Sequence, residues 1–147
     1  MAEPLRRESL IEAPAGEPRL AARARNRAYR AYLILYAGFI ALPFLAGADK
    51  FFHVLVNWDQ YLAPSVGRLL PVAPHTFMLV VGVIEMVAAI LVAVKPRFGG
   101  YVVAAWLWAI IVNLLLIPGY YDVALRDLGL SLGGVALAML AEQFEER

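Results

Sequence analysis

From Ala31 onward the chain is laid out as four apolar runs separated by short polar interruptions. The first is "AYLILYAGFIALPFLAGA", Ala31 to Ala48; the others cover about His75–Val94, Phe98–Ile117 and Val123–Ala141. Each is close to the roughly 20 apolar residues that an α-helix needs to cross a hydrocarbon core of about 30 Å. The second and third runs are joined by "KPRFGG" and the third and fourth by "PGYYD". Connections this short force antiparallel neighbours, and Asp122 is placed to act as the N-cap of the fourth helix. The pattern predicts an all-α membrane protein: a four-transmembrane-helix antiparallel bundle, with an interfacial helix or re-entrant segment between the first and second spans.

That longer connection follows a break in the first run. In "FLAGADKFFHVLVNWDQYLAP", Asp49 and Lys50 end the apolar pattern and a mixture of aromatic and polar residues follows. Pro43 lacks a backbone donor and is expected to kink the first span. On a helix, His53, Asn57 and Gln60 would share one face, with Phe51, Phe52, Leu55, Trp58 and Leu62 covering the remainder. A straight helix from Ala31 to Leu62 would be about 48 Å long, well beyond the membrane core, so a bend at Ala46-Gly47-Ala48 is expected. Trp58 and Tyr61 suit an interfacial aromatic belt.

Composition agrees with the pattern. Of 147 residues, 62% are hydrophobic and the mean hydropathy is +0.68, against about 45–50% apolar usage in soluble domains. There is room for one transmembrane domain, residues 31–147. The absence of cysteine excludes disulfides, thiolate metal sites and dithiol redox chemistry within the chain. Net charge is only +1, but Arg6, Arg7, Arg19, Arg23, Arg25, Arg27 and Arg30 all fall in the first thirty positions. Residues 1–17 read as a polar tail, and a helix is expected to start after Pro18 and carry Arg19, Arg23, Arg27 and Arg30 to the lipid headgroups. The bilayer, not nucleic acid, is the partner that this basic segment implies. With Lys95 and Arg97 on the same side as the Arg-rich tail, the positive-inside bias places both termini in the cytoplasm. Ala46-Gly47-Ala48 has the form of a signal-peptidase site, but the thirty residues before the apolar run are long for a signal's basic region.

Polar residues within and beside the spans are the candidate site. Asp49, Lys50, His53, His75, Asn113, Arg126 and Asp127 are expected in one outer layer, and Glu85 about 15 Å in from His75. Ionised side chains in lipid usually face inward and pair; the expected pairs join Asp49 or Asp127 to Lys50 or Arg126. The same residues fit either an ion-pair lock or a polar ligand site. Glu85, beside Met78, Gly82 and Ala89, could handle protons, line a ligand or sit where helices pack closely. His53 and His75, the only two histidines, both fall near the outer boundary and neither reads as part of a metal-like cluster, so no metal site is expected. Trp106 and Trp108 read as packing residues. Gly100 with Ala104, and Gly129 with Gly133, have the small-xxx-small spacing of close helix packing, inside the bundle or between copies.

"AGADKF" at Ala46 to Phe51, "VGVIEMVAAILVAVKPRFGGYVVAAWLWAIIVNLLL" at Val81 to Leu116 and "ALRDLGL" at the start of the fourth span together resemble the DoxX-like family of small membrane proteins. Gly47 and Lys50 resemble that family's glycine and lysine at the end of the first helix, Glu85 the polar position of its "GxxE", and Pro96 the following turn. The Arg-rich tail and the long outer loop depart from the pattern. The resemblance implies a bacterial plasma (inner) membrane protein that is an accessory or quinone-associated subunit of a redox complex, without autonomous catalysis. A quinone is the one cofactor it implies, with Lys50, His53 or Arg126 donating to its carbonyls. Two other functions fit the residues: a small oligomeric transporter or permeation subunit using Glu85, and a purely structural subunit that assembles with other membrane subunits or with itself.

Overall fold

The computed structural model describes residues 17–145. The expected polar tail therefore lies outside the described residues, except for Glu17, where the first helix begins. Five α-helices follow: α1 Glu17–Phe52, α2 Pro64–Leu69, α3 Pro74–Val94, α4 Pro96–Leu115 and α5 Tyr121–Glu145, with a single 3₁₀ turn at Trp58–Tyr61. Among the described residues, α1, α3, α4 and α5 are long and apolar enough to cross a membrane. The protein is an all-α, multi-pass membrane protein.

Proline sets several of the boundaries. Pro64, Pro74 and Pro96 open α2, α3 and α4, where the missing N–H has no intrahelical partner to lose. The expected "KPRFGG" loop shrinks to one residue, Lys95, because a residue before proline is driven out of the helical region; Lys95 has φ −139° and ψ 74°. α5 starts at Tyr121, so Asp122 sits in its first turn and faces the positive end of the helix from inside it, rather than serving as the N-cap expected from the sequence.

Contacts fix the topology. Gly47 meets Gly82 and Tyr36 Oη donates to the Ala93 carbonyl at 2.8 Å, so α1 and α3 run antiparallel. Gly100 packs against Gly134 and Ala138, and Ile111 and Leu114 share a cluster with Ala124, so α4 and α5 do the same. The Phe39 ring covers Gly133 and Tyr29 stacks edge-on to Phe144 with centroids 5.2 Å apart, which closes the ring of four between α1 and α5. The bundle has two ends. The tail end carries the N-terminal stretch of α1, the Lys95 turn and the end of α5; the loop end carries residues 53–73 and the α4–α5 turn. Outward faces bear exposed Ile34, Leu42, Val87, Trp108, Val112 and Leu132, the apolar surface that lipid solvates in a membrane bundle. Arg19, Arg23, Arg27 and Arg30 are exposed on the early turns of α1.

Two expectations about α1 are corrected. The helix does not end near Ala48 but runs on, with Pro43 inside it, to Phe52. Gly47 serves a close approach, not a bend: a Cβ there would lie 2.5 Å from the Gly82 carbonyl oxygen, and one on Gly82 would lie 2.6 Å from that of Gly47. Nor does a helix carry His53, Asn57 and Gln60 on one face, because α1 stops before His53. A third difference concerns the last span. Gly129 meets nothing within 4 Å, whereas Gly134 sits against Gly100 and Ala104. The α4–α5 seam is thus built from Gly100, Ala104, Gly134 and Ala138, one residue out of register from the Gly129–Gly133 pair, and Gly133 instead faces α1.

Candidate functional site

The site is assembled at the loop end, beginning with how α1 terminates. His53 N–H donates back to the Asp49 carbonyl at 2.7 Å, and His53 itself has φ +53°, the left-handed turn that commonly ends a helix. The Asp49 side chain then collects the backbone beyond. Its Oδ1 accepts from Val54 N at 2.9 Å and Leu55 N at 3.2 Å; its Oδ2 accepts from Leu55 N at 3.0 Å and from the Trp58 indole Nε1 at 2.8 Å. A buried carboxylate needs such donors, and charge-assisted bonds to it are the stronger kind. Asp49 therefore holds the connection rather than pairing with Lys50 or Arg126.

Lys50 turns the other way. Its Cβ lies beside Gly82, where any larger residue would collide at 3.1 Å. Long helical side chains lean toward the helix N-terminus, so the ammonium reaches deeper into the bundle and meets Glu85 Oε2 at 2.5 Å. Gly82 and Glu85, one turn apart on α3, thus supply the gap and the counter-charge. Lys50 is 3% exposed and Glu85 9%. The Trp58 ring lies across the same ammonium, 3.9 Å from its centroid, and a cation desolvated against an indole face gains about 2 kcal/mol. Asp49, by fixing the Trp58 indole, thereby also completes the environment of Lys50.

A further indole borders the pair from α4. Trp106 packs beside Met78, Val81 and Leu62. Its Nε1 is buried without a hydrogen-bond partner, although it interacts with the Glu85 carboxyl; the approach falls short of hydrogen-bond geometry. Glu85 is also within electrostatic reach of Asp127, which is buried at the start of α5. Arg126 Nε and Nη2 donate to Asp127 Oδ1 at 3.0 and 2.9 Å, from a guanidinium side chain that is 65% exposed.

The expected outer layer thus divides. Lys50 leaves it for Glu85, which was expected deeper in the membrane, whereas Arg126 and Asp127 pair within it. Asn113 is a clasp: its Nδ2 donates to the Tyr61 carbonyl at 2.6 Å and its Oδ1 accepts from Ala63 N at 2.9 Å, tying the connection to α4. His53 and His75 stack with centroids 5.5 Å apart, and His75 Nδ1 lies 2.9 Å from Asp59 Oδ2. Sequence reasoning passed over Asp59 and treated Trp58 and Trp106 as belt and packing residues. For Trp106 a signal existed: Val103, Trp106, Ile110 and Asn113 follow helical spacing, so the indole shares the inward face of Asn113. For Trp58 and Asp59 there was none, because residues 53–63 fold irregularly around Asp49. No protein-family model matches the chain, and no curated protein or solved structure matches it either.

Proposed function

We propose that the protein is a small DoxX-like subunit of a membrane redox complex that binds a carbonyl-bearing lipid such as a quinone and does no chemistry alone. The supporting observation is the buried Lys50–Glu85 pair beside the Trp106 indole N–H, whose approach to the Glu85 carboxyl falls short of hydrogen-bond geometry. A buried donor left unpaired costs about 1–3 kcal/mol, and a quinone carbonyl is an acceptor that would satisfy it. Such a head group would enter along the α3–α4 seam, which is more sparsely packed than α1–α3, with its isoprenoid tail in the lipid. In this proposal the membrane is a bacterial inner membrane, both termini are cytoplasmic, and Arg19, Arg23, Arg27 and Arg30 lie at anionic headgroups.

The test is extraction from the native membrane in mild detergent, native mass spectrometry, and analysis of co-purifying lipid. Retention of a quinone, reduced by Trp106→Phe, supports the proposal. A preparation free of quinone, whose tryptophan fluorescence a short-chain quinone leaves unchanged, overturns it. A transport role is favoured instead by one feature: two buried carboxylates, Glu85 and Asp127, lie within electrostatic reach of each other and the only buried cation among the described residues is Lys50. Proton or solute flux in liposomes that disappears in Glu85→Gln would select it. A purely structural role predicts lost assembly in Lys50→Ala with ligand retention unaffected.

A further inference from the structure

The two histidines and Asp59 form a second cluster above this site. His53 is the left-handed residue that ends α1, Asp59 lies in the 3₁₀ turn, and His75 is the second residue of α3. Three separate segments therefore bring one ligand atom each to a common point, all within 4.8 Å of one another. The closest pair, His75 Nδ1 and Asp59 Oδ2, is 2.9 Å apart.

The donor set, two imidazoles and one carboxylate, suits a divalent transition metal and not calcium or magnesium, which take oxygen ligands. Ligand atoms at about 2.0–2.1 Å from a tetrahedral ion are roughly 3.3 Å apart. The His75–Asp59 pair, at 2.9 Å, stands at hydrogen-bond distance, a little inside that spacing, and a modest rotation of the half-exposed His75 ring and its stacked neighbour would bring all three atoms to it. A second observation concerns Asp59 itself: its other oxygen, Oδ1, is buried with no hydrogen-bond partner. A carboxylate with one oxygen on a histidine and the other unsatisfied has coordination capacity that the protein does not use. Helices that end in the left-handed region usually place glycine or asparagine there. A histidine in that position aims an imidazole at His75 as glycine could not. Side-chain exposures of 54% for His75 and 30% for Asp59 leave the cluster open to ions from solution.

We propose that His53, Asp59 and His75 form a binding site for a divalent transition-metal ion of the zinc class, with water completing its coordination. The ion cross-links the end of α1, the connection and the start of α3. Because Asp59 follows Trp58, the ring over Lys50 is held more firmly when the ion is bound. The site does not depend on the proposed quinone.

The chain suits a decisive test, since it has only two histidines and no cysteine; the purified full-length protein must carry no histidine tag. After treatment with chelator, Zn²⁺ is titrated calorimetrically and Co²⁺ by visible absorption, with helicity checked by circular dichroism. Saturable binding of a single ion per chain is expected. His53→Ala, His75→Ala and Asp59→Asn should each weaken it by at least the roughly 10–100-fold typical of disturbing a metal's supporting shell, and Zn²⁺ should raise the unfolding temperature of the wild type alone. Absence of saturable binding overturns the proposal, as does binding that survives any one of the three substitutions unchanged. Should a histidine variant fail to fold, Cu²⁺ paramagnetic resonance of the wild type decides: nitrogen splitting from two imidazoles is expected, and an oxygen-only spectrum overturns the site.

Discussion

The two ends of the bundle solve the same packing problem with different chemistry. At the tail end, Tyr32, Ala88, Val92, Val103, Leu137 and Ala141 form an apolar cluster, extended by Tyr29, Tyr36 and Phe144, and the Arg97–Glu142 ion pair at 3.0 Å stays half-exposed on the surface. At the loop end, Asp49, Lys50, Glu85 and Asp127 are all buried, and an irregular connection is tied down by side-chain hydrogen bonds from Asp49 and Asn113. Regular helices satisfy their own backbone, so the tail end needs little besides shape. The loop end must satisfy non-helical backbone and ionised groups where water is scarce, and each polar side chain there answers a specific need. Among the described residues, buried charge is therefore confined to the loop end, where the proposed function places the ligand.

The sharpest way to break this contrast is to remove one charge of the buried pair. Lys50→Met should destabilise the protein by about 3–5 kcal/mol by stranding Glu85, while Lys50→Met with Glu85→Leu should recover most of the loss; thermal unfolding in detergent measures both. Equal instability of the single and double variants would mean that the pair's shape, not its charge balance, matters. Asp49→Ala comes next, at about 2–3 kcal/mol, since the Val54, Leu55 and Trp58 donors lose their acceptor. A red shift of tryptophan emission should accompany it as Trp58 loosens from Lys50.

Helix contacts sharpen the comparison at smaller scale. Gly82→Ala forces a methyl against the Gly47 carbonyl and should cost about 1–3 kcal/mol. Gly129→Ala, which meets no neighbour, should cost nothing and serves as the matched control, gaining up to about 1 kcal/mol of helix propensity. Smallest of all is the tail-end surface pair: Glu142→Gln should change stability by about 0.2–1 kcal/mol, the loss shrinking as salt is added. A large effect there would erase the distinction between the two ends.

Much of the architecture was legible beforehand. Four apolar runs predicted the four spans to within a few residues at most ends, because span length answers directly to membrane thickness. That Asp49 or Asp127 would pair with Lys50 or Arg126 followed from the cost of charge in lipid, and of those pairings Arg126–Asp127 forms. What was not legible depended on side chains meeting across elements. Gly47 was expected to bend α1 and instead admits α3, a difference visible only once Gly82 stands opposite. Lys50 was expected to pair with a neighbour in its own layer, yet it leans back along α1 into the gap that Gly82 leaves and finds Glu85.

By itself, then, the sequence determined the class of protein, the number and rough extent of its helices and several of the polar residues that had to be buried or paired, since hydropathy and chain length are local properties. Only the tertiary structure decided which partner each polar residue takes, that residues 53–63 wrap around Asp49 instead of extending the helix, and that His53, Asp59 and His75 converge. Those outcomes rest on the register of one helix against another and on the course of an irregular connection, and neither has a period that can be read along a single chain.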